Sequence, residues 1–171
     1  DENEAIKIAS EIIDNFQNIY EEKWLNMMRD KLGLFGKDQN DQKLINDLLS
    51  WMEINNADYT NTFCNLMNVN IEDKKVYKDE KFINWVKIWE KRVLMNNNFK
   101  EKSLDLMRNT NPTVIPRNHK VEEALNAANE DNIEVINKLL NVLNKPYSNQ
   151  KNIENYQSLS NDKEYQTFCG T

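Results

Sequence analysis

The residues best suited to chemistry lie in a proline-bracketed turn. Arg117, Asn118 and His119, the only histidine, follow Pro116 directly and precede a helical pattern. Such residues can bind a ligand or act in catalysis, or they can cap the helix and tie the turn to neighbouring carbonyls and carboxylates. Arg117 is the best equipped because its guanidinium has five fixed donors. The structural role is favoured, and for His119 a cap or a satisfied buried imidazole is favoured over a metal ligand.

A second candidate is Cys169, the third residue from the end of the sequence. A thiol on a chain end adds little packing but can reach solvent or a distant partner. It is either an ordinary terminal thiol or a redox partner of another cysteine. Cys64 follows Phe63 in a helical pattern and is expected to be a small buried hydrophobe. With two Cys and one His, a zinc site would have to recruit carboxylates, so none is expected.

The motifs of common enzyme classes are absent from this sequence. It has no HExxH pair and no CxxC, and three scattered glycines cannot form a phosphate-binding loop. The adjacent acid pairs fall on polar helix faces or in loops, where a solvated surface is expected rather than acid–base catalysis. The four tryptophans at helical spacing are expected in the core rather than on a stacking platform. They are Trp24, Trp51, Trp85 and Trp89.

Composition excludes several classes of function. The 171 residues are 39% hydrophobic and 29% charged, with a formal net charge of −6 and a pI near 5.0. That acidity disfavours nucleic acid as a partner, because binding phosphates requires a basic surface. No run of apolar residues is long enough to cross a membrane, and the acidic start is unlike a signal peptide. Two cysteines fit a reducing compartment.

The periodicity of apolar residues predicts helices throughout, and only three Gly and three Pro interrupt them. The first helix carries an apolar stripe wide enough to predict burial on more than one side, and Gly33 should end it. The stripe comprises Ile6, Ala9, Ile12, Ile13, Phe16, Ile19, Tyr20, Trp24, Met27 and Met28.

Six further helices are expected, separated by polar breaks. Asp58 and Asp79 should cap the third and fourth, and Asp131 with Glu134 resembles a capping box for the seventh. The fifth should end before Asn111-Pro112. Their apolar positions are Leu44–Met52, Phe63–Met67, Phe82–Val93, Leu104–Met107, Val121–Ala128 and Ile133–Leu143, with breaks at residues 36–41, 68–77, 96–98 and 146–147.

We therefore predict a single all-α domain of about seven helices over residues 1–147, followed by an extended tail over 148–171. Isolated apolar side chains should dock this tail on the domain. They are Tyr147, Tyr156, Leu159, Tyr165 and Phe168.

Several stretches, in order, resemble the C-terminal part of the selenoprotein O (SelO/YdiU) family. The most specific are Ala57-Asp58-Tyr59-Thr60-Asn61-Thr62-Phe63 and the turn Asn111 to His119. The others are Met28-Arg29-Asp30-Lys31-Leu32-Gly33-Leu34, the rest of the stretch to Ala128, Leu139 to Leu143 with Pro146-Tyr147, and Phe168-Cys169-Gly170-Thr171.

The resemblance implies a kinase-like parent that transfers AMP from ATP onto protein Ser, Thr or Tyr hydroxyls. The residues that bind ATP and Mg²⁺ and the catalytic Asp lie upstream of the matching region, so no catalytic, nucleotide or metal residue is assigned here. Cys169 matches a family position that is selenocysteine or cysteine, which implies a redox role. Its usual partner thiol would lie outside this chain, and Cys64 matches no family cysteine.

The sequence thus predicts a non-catalytic helical part of a bacterial, cytoplasmic protein adenylyltransferase. Its expected partners are the catalytic part of the same protein and, for the parent, protein substrates, without nucleic acid or membrane. The alternative is a stand-alone, acidic, helical interaction module without enzymatic activity.

Overall fold

The computed structural model describes residues 1–68, 74–95 and 100–160, and all regular structure within them is helical. The all-α prediction is therefore confirmed. The α-helices are α1 (Glu2–Lys31), α2 (Asp41–Asn55), α3 (Tyr59–Leu66), α4 (Glu80–Val93), α5 (Lys100–Thr110), α6 (Asn118–Asn129), α7 (Glu134–Leu143) and α8 (Glu154–Gln157), with a 3₁₀ turn at Val76–Lys78.

Local signals set the helix ends much as the sequence predicts. Gly33 has a φ of 66°, and the Leu34 N–H donates to the Arg29 carbonyl at 2.9 Å, which closes a Schellman motif at the end of α1. The side chain of Asp58 caps α3 and that of Asp79 caps α4. Helix α5 ends at Thr110, just before the segment that contains Pro112.

The core lies between the C-terminal end of α1 and helices α2 to α5. Three of the four tryptophans are buried and the fourth, Trp24, is partly buried, which confirms the core interpretation. Each buried indole N–H donates to an acceptor 2.8 Å away: Trp51 to the Asp79 carboxylate, Trp85 to the Leu44 carbonyl and Trp89 to the Leu32 carbonyl. The indoles thus bury large apolar areas without leaving a polar group unpaired.

The first helix departs from the expectation of burial. All of residues 1–23 are exposed, and packing on the core begins only at Trp24. The periodicity predicted the helix correctly. The burial prediction was wrong because an apolar stripe does not identify which surface covers it.

Helices α6 and α7 form a hairpin that also leaves apolar side chains in solvent. Of their predicted core positions, Ala124 and Leu139 are buried, whereas Leu125, Ile133 and Leu140 are at least half exposed.

The capping box predicted at the start of α7 is wrong. Asp131 has a φ of 62° and lies in the turn between the helices, and the Asn132 side chain accepts the Glu134 N–H at 3.2 Å instead. The break between α6 and α7 is nevertheless real.

The described part of the predicted tail, residues 148–160, contains α8. Ile153 and Gln157 dock it on the domain, since both are buried, whereas Tyr147 and Leu159 are about half exposed. The docking prediction for those two residues was wrong because a polar Gln157 and one aliphatic residue make the contact. Tyr165, Phe168, Cys169 and the Asn96–Asn98 break lie outside the described residues.

Within the described part of the chain, no helix is both long enough and apolar enough to cross a bilayer.

Candidate functional site

The guanidinium of Arg117 joins the turn before α6 to the start of α3. It donates to both Asp58 carboxylate oxygens, at 3.0 and 2.8 Å, and to the Asn61 side chain at 3.3 Å. Both charged side chains are largely buried. Such a bidentate pair fixes geometry as well as contributing energy. Arg117 occupies the N-cap position of α6, but its side chain does not cap that helix.

Asn118 and His119 form the first turn of α6 beside an open concavity of about 310 Å³. Burial, together with the nearby positive charges of Lys120 and Arg117, lowers the pKa of His119 below its usual 6.5, so the ring is neutral at pH 7. Among the described residues, the buried Nε2 of His119 and Nε of Arg117 have no hydrogen-bond partner. Both nitrogens are shielded from solvent, so the structure gives the concavity no exposed imidazole or guanidinium nitrogen at these two atoms.

Upstream in the same segment, Asn111 is bound to the end of α1. Its side-chain amide donates to the Lys31 carbonyl at 2.8 Å, and its amide oxygen accepts from the Lys31 ammonium at 3.0 Å. That ammonium also lies 4.8 Å from the centre of the Phe63 ring and 5.2 Å from that of Tyr59. Burial lowers the pKa of Lys31, and the aromatic faces and the amide oxygen replace only part of the lost hydration.

Thr113 ties the segment to the C-terminal part of the described chain. Its N–H and hydroxyl both donate to the Pro146 carbonyl, at 2.7 and 3.0 Å, while its own carbonyl accepts from the buried Gln157 amide at 2.7 Å. The Asn61 amide in turn donates to the Gln157 carbonyl at 3.0 Å. The segment 111–117 therefore links α1, α3, α8 and the end of the α6–α7 hairpin, and we call it the central joint.

Cys64 lies against the central joint and is fully buried. Its sulfur is 3.7 Å from the Pro112 carbonyl oxygen and 3.9 Å from that of Thr113. Burial, followed by the negative charge of Asp58, raises the pKa of this thiol to about 12. The thiolate needed for nucleophilic or redox chemistry is thus strongly disfavoured here, as expected for a packing cysteine.

A buried charge cluster that the sequence did not indicate joins α1, α2 and α4. The Asp41 carboxylate accepts from Arg29 Nε at 2.6 Å, from Arg92 Nε at 2.7 Å and from the Asp38 N–H at 3.0 Å. Arg92 also donates to the carbonyls of Phe35 and Gly36. Although burial alone would raise the pKa of Asp41, the bonds from Arg92 and Arg29 outweigh it and lower the pKa.

The glycines of the described chain serve packing rather than phosphate binding. A Cβ on Gly33 would lie 2.6 Å from the Ser103 carbonyl oxygen, so this loop is pressed against α5, and the Gly36 carbonyl is bound by Arg92. The N–H groups of Gly33 and Leu34 already donate to the Asp30 and Arg29 carbonyls, so this loop offers a phosphate chain no open row of backbone N–H groups. In the described ranges, no three His, Cys, Asp or Glu side chains converge on a point suited to a metal ion.

The sequence predicted the Arg117 turn but not its partners. Asp58 was identified as a helix cap and, like Asn111, as part of a stretch that carries the resemblance, whereas Gln157 was not singled out. No sequence pattern pointed to a charge cluster at Asp41, because Arg29 and Arg92 are 12 and 51 residues away and only the fold brings them together.

Comparison with known proteins identifies the family. The family described as "Protein adenylyltransferase SelO" matches residues 4–144. The chain belongs to the SelO family. Over 99% of its length it is 51% identical to the protein nucleotidyltransferase YdiU of Pelagibacter ubique, and over 98% it is 44% identical to that of Clostridium perfringens strain 13. It spans 36% and 35% of those proteins, about a third of their length.

Three of the stretches that carried the resemblance to SelO proteins, 28–34, 57–63 and 111–119, meet at the central joint. The 28–34 stretch contributes Lys31 to the bond with Asn111, and the 57–63 stretch contributes Asp58 to the pair with Arg117. The motifs most specific to SelO sequences in this chain are therefore the ones that hold its helices together.

Proposed function

We propose that this chain is the C-terminal helical part of a SelO-type protein adenylyltransferase and is not catalytic by itself. The parent would transfer AMP from ATP onto Ser, Thr or Tyr hydroxyls of proteins in the bacterial cytoplasm. The observation that carries the proposal is the match of nearly the whole chain to about a third of proteins named nucleotidyltransferases. The resemblance of the final Phe168-Cys169-Gly170-Thr171 supports the C-terminal placement.

ATP and Mg²⁺ would bind in the part of the parent that this chain does not contain. The packing of Gly33 against Ser103 and the pairing of Arg29 and Arg92 with Asp41 support this division. In this fragment Arg29, Arg92 and Gly33 hold helices together, so these groups are not free to meet phosphates.

The role of this part would be to brace the catalytic part of the parent. The central joint and the Asp41 cluster support a bracing role, because bidentate and buried ion pairs hold helices in one relative geometry. A closely packed domain holds a partner that packs against it in a fixed position.

We assign the redox role to Cys169, which lies outside the described residues. The other cysteine, Cys64, is buried with a pKa of about 12 and is poorly suited to thiol exchange, which favours Cys169 for the redox role. The partner thiol would lie in the catalytic part of the parent.

A chimeric protein tests the proposal. The aligned third of the Pelagibacter ubique relative is replaced by this chain, and AMP transfer from labelled ATP to protein is measured. The chimera should transfer AMP, whereas this chain alone and the relative lacking its aligned third should not. AMP transfer by this chain alone would refute the proposal, and full activity of the shortened relative would favour the stand-alone interaction module.

A further inference from the structure

The N-terminal two-thirds of α1 presents a long apolar surface to solvent. Residues 1–23 are all exposed, and at a rise of about 1.5 Å per residue they extend about 35 Å. Seven large apolar side chains on this stretch are each between 47% and 71% exposed. They are Ile6, Ile8, Ile12, Ile13, Phe16, Ile19 and Tyr20, and we call them the α1 stripe.

An exposed apolar stripe of this size is usually covered by an interaction partner. A lone helix gains most of its stability from packing an amphipathic face, and apolar patches of this extent on soluble proteins usually mark interaction sites. Within the stripe, only the Phe16 and Tyr20 rings are seen to stack on each other, 6.2 Å apart. No surface among the described residues covers the stripe, so we look to a partner surface outside them.

The width of the stripe indicates the form of the partner. At about 100° per residue, its side chains span an arc of about 160° around the helix, from Ile8 on one edge to Ile6 on the other. A single facing helix contacts a narrower seam. An arc this wide is buried by a groove between two helices or between a helix and a loop.

Charge argues against a second copy of the chain. Residues 1–22 contain seven acidic side chains and one lysine, so they carry a net charge of −6, equal to that of the whole chain. Pairing two such helices along their stripes would bring two charges of −6 together. Glu4 and Glu11 lie one turn from Ile8 on either side, at the edge of the stripe, where a partner's Lys or Arg would meet them.

We propose that the α1 stripe docks into an apolar groove bordered by Lys and Arg in the rest of a SelO-type protein. The proposal rests on the function proposed above. It is supported by the chain spanning only 36% of its Pelagibacter ubique relative, which leaves most of such a protein to supply the groove. Helix α1 is then the element that joins the brace to the catalytic part.

The test compares the same substitutions in two contexts, this chain alone and the Pelagibacter ubique chimera. Ile12→Gln with Phe16→Gln should leave the melting temperature of the chain alone unchanged and lower that of the chimera by several degrees. Ile54→Gln is the matched control, because Ile54 is 74% exposed on α2, away from the stripe. It should change neither protein. An unchanged chimera, or an equal loss in both contexts, would overturn the proposal.

A second measurement follows binding in trans. This chain is titrated into the Pelagibacter ubique relative that lacks its aligned third. The double variant should weaken binding at least tenfold, and Glu4→Lys with Glu11→Lys should weaken it and flatten its salt dependence, unlike Glu53→Lys on α2. Absence of binding, or affinity insensitive to the stripe, contradicts the proposal.

Light scattering on this chain alone completes the test. A monomer is expected, and a dimer that the stripe variants dissociate would assign the stripe to a second copy instead. A chimera that melts as expected but transfers no AMP would leave the docking surface intact and refute the proposed function.

Discussion

At the scale of single residues, burial decides which of the reactive groups can act. Cys64 and Asp41 are both fully buried, yet their pKa values move in opposite directions. The thiol has no cation close enough to outweigh desolvation, so its pKa rises, whereas two guanidinium groups bond directly to the carboxylate and its pKa falls. One group is thereby kept neutral and the other kept charged.

We expect Cys64 to resist alkylation in the folded chain. With a pKa of about 12, only about one thiol in ten thousand is ionised at pH 8, and solvent does not reach it. A Cys169→Ser variant treated with iodoacetamide should therefore gain no mass until it is unfolded in urea. The Cys64→Ser variant, which keeps Cys169, is the comparison and should react in the native state. Rapid native labelling of Cys64 would show that the central joint opens.

Removing the charge of Asp41 should destabilise the fold severely. Asp41→Asn leaves Arg29 and Arg92 buried without a counter-charge, which should lower the free energy of unfolding by about 3 kcal/mol. Urea unfolding followed by circular dichroism measures it. Asp47→Asn is the control, since Asp47 pairs with Lys43 in solvent, and it should cost less than about 1 kcal/mol. Equal effects of the two substitutions would contradict the role given to the cluster.

The stability difference between the natural chain and the Asp41→Asn variant should depend on pH in a defined way. Because folding lowers the pKa of Asp41, its contribution is fully present above the unfolded value of about 3.9 and is lost as the pH falls through the lower folded value. The difference in unfolding free energy between the natural chain and Asp41→Asn should be constant from about pH 7 to 5 and shrink below about pH 4. A difference that grew on acidification would have the wrong sign for this cluster.

At the scale of elements, the turn before α6 acts as a joint rather than as a flexible connection. Its polar atoms are bound to α1, α3 and α8, and its one strong charge is paired with the cap of α3. Asp58 thus serves two elements at once, since it accepts the Asn61 N–H at 2.8 Å and pairs with Arg117. Disturbing this pair should loosen both helices.

Arg117→Lys is expected to destabilise the chain by about 1–2 kcal/mol, because an ammonium cannot make the two parallel bonds to Asp58. Thermal and urea unfolding measure the effect. The matched control is Arg108→Lys, whose partner Asp105 is on the same exposed helix face, and its expected change is within about 0.5 kcal/mol. If Arg117→Lys left the stability unchanged, the bidentate pairing would not be what holds the central joint.

At the scale of the whole molecule, the chain divides into a packed body and a projecting charged helix. The body contains the core and both buried ion clusters, and residues 1–22 contain the excess negative charge. We therefore expect the two parts to make separate contributions, the first to stability and the second to the docking proposed above.

Deleting residues 1–22 should leave the melting temperature within a few degrees of the natural value. These residues bury no side chain, and the truncated chain keeps Trp24 and the rest of the core. Its formal net charge becomes zero, so its pI should rise towards neutrality. Calorimetry and isoelectric focusing measure the two effects. Leu32→Ala in the core is the contrast and should cost about 2–5 kcal/mol. If the truncated chain no longer unfolded cooperatively, residues 1–22 would be part of the packed body.

The sequence by itself determined α1 to α7, because apolar spacing, Gly33, Asp58 and Asp79 act within a few residues along the chain, but it did not indicate α8. It also carried the family, through stretches of which three, 28–34, 57–63 and 111–119, meet at the central joint. Only the tertiary structure decided which stripes are covered, and it left the α1 stripe exposed although its pattern matched that of a core helix. It alone brought Arg29 and Arg92 to Asp41 and Arg117 to Asp58. The physical reason is that such pairs depend on distance in space, to which separation along the chain is no guide.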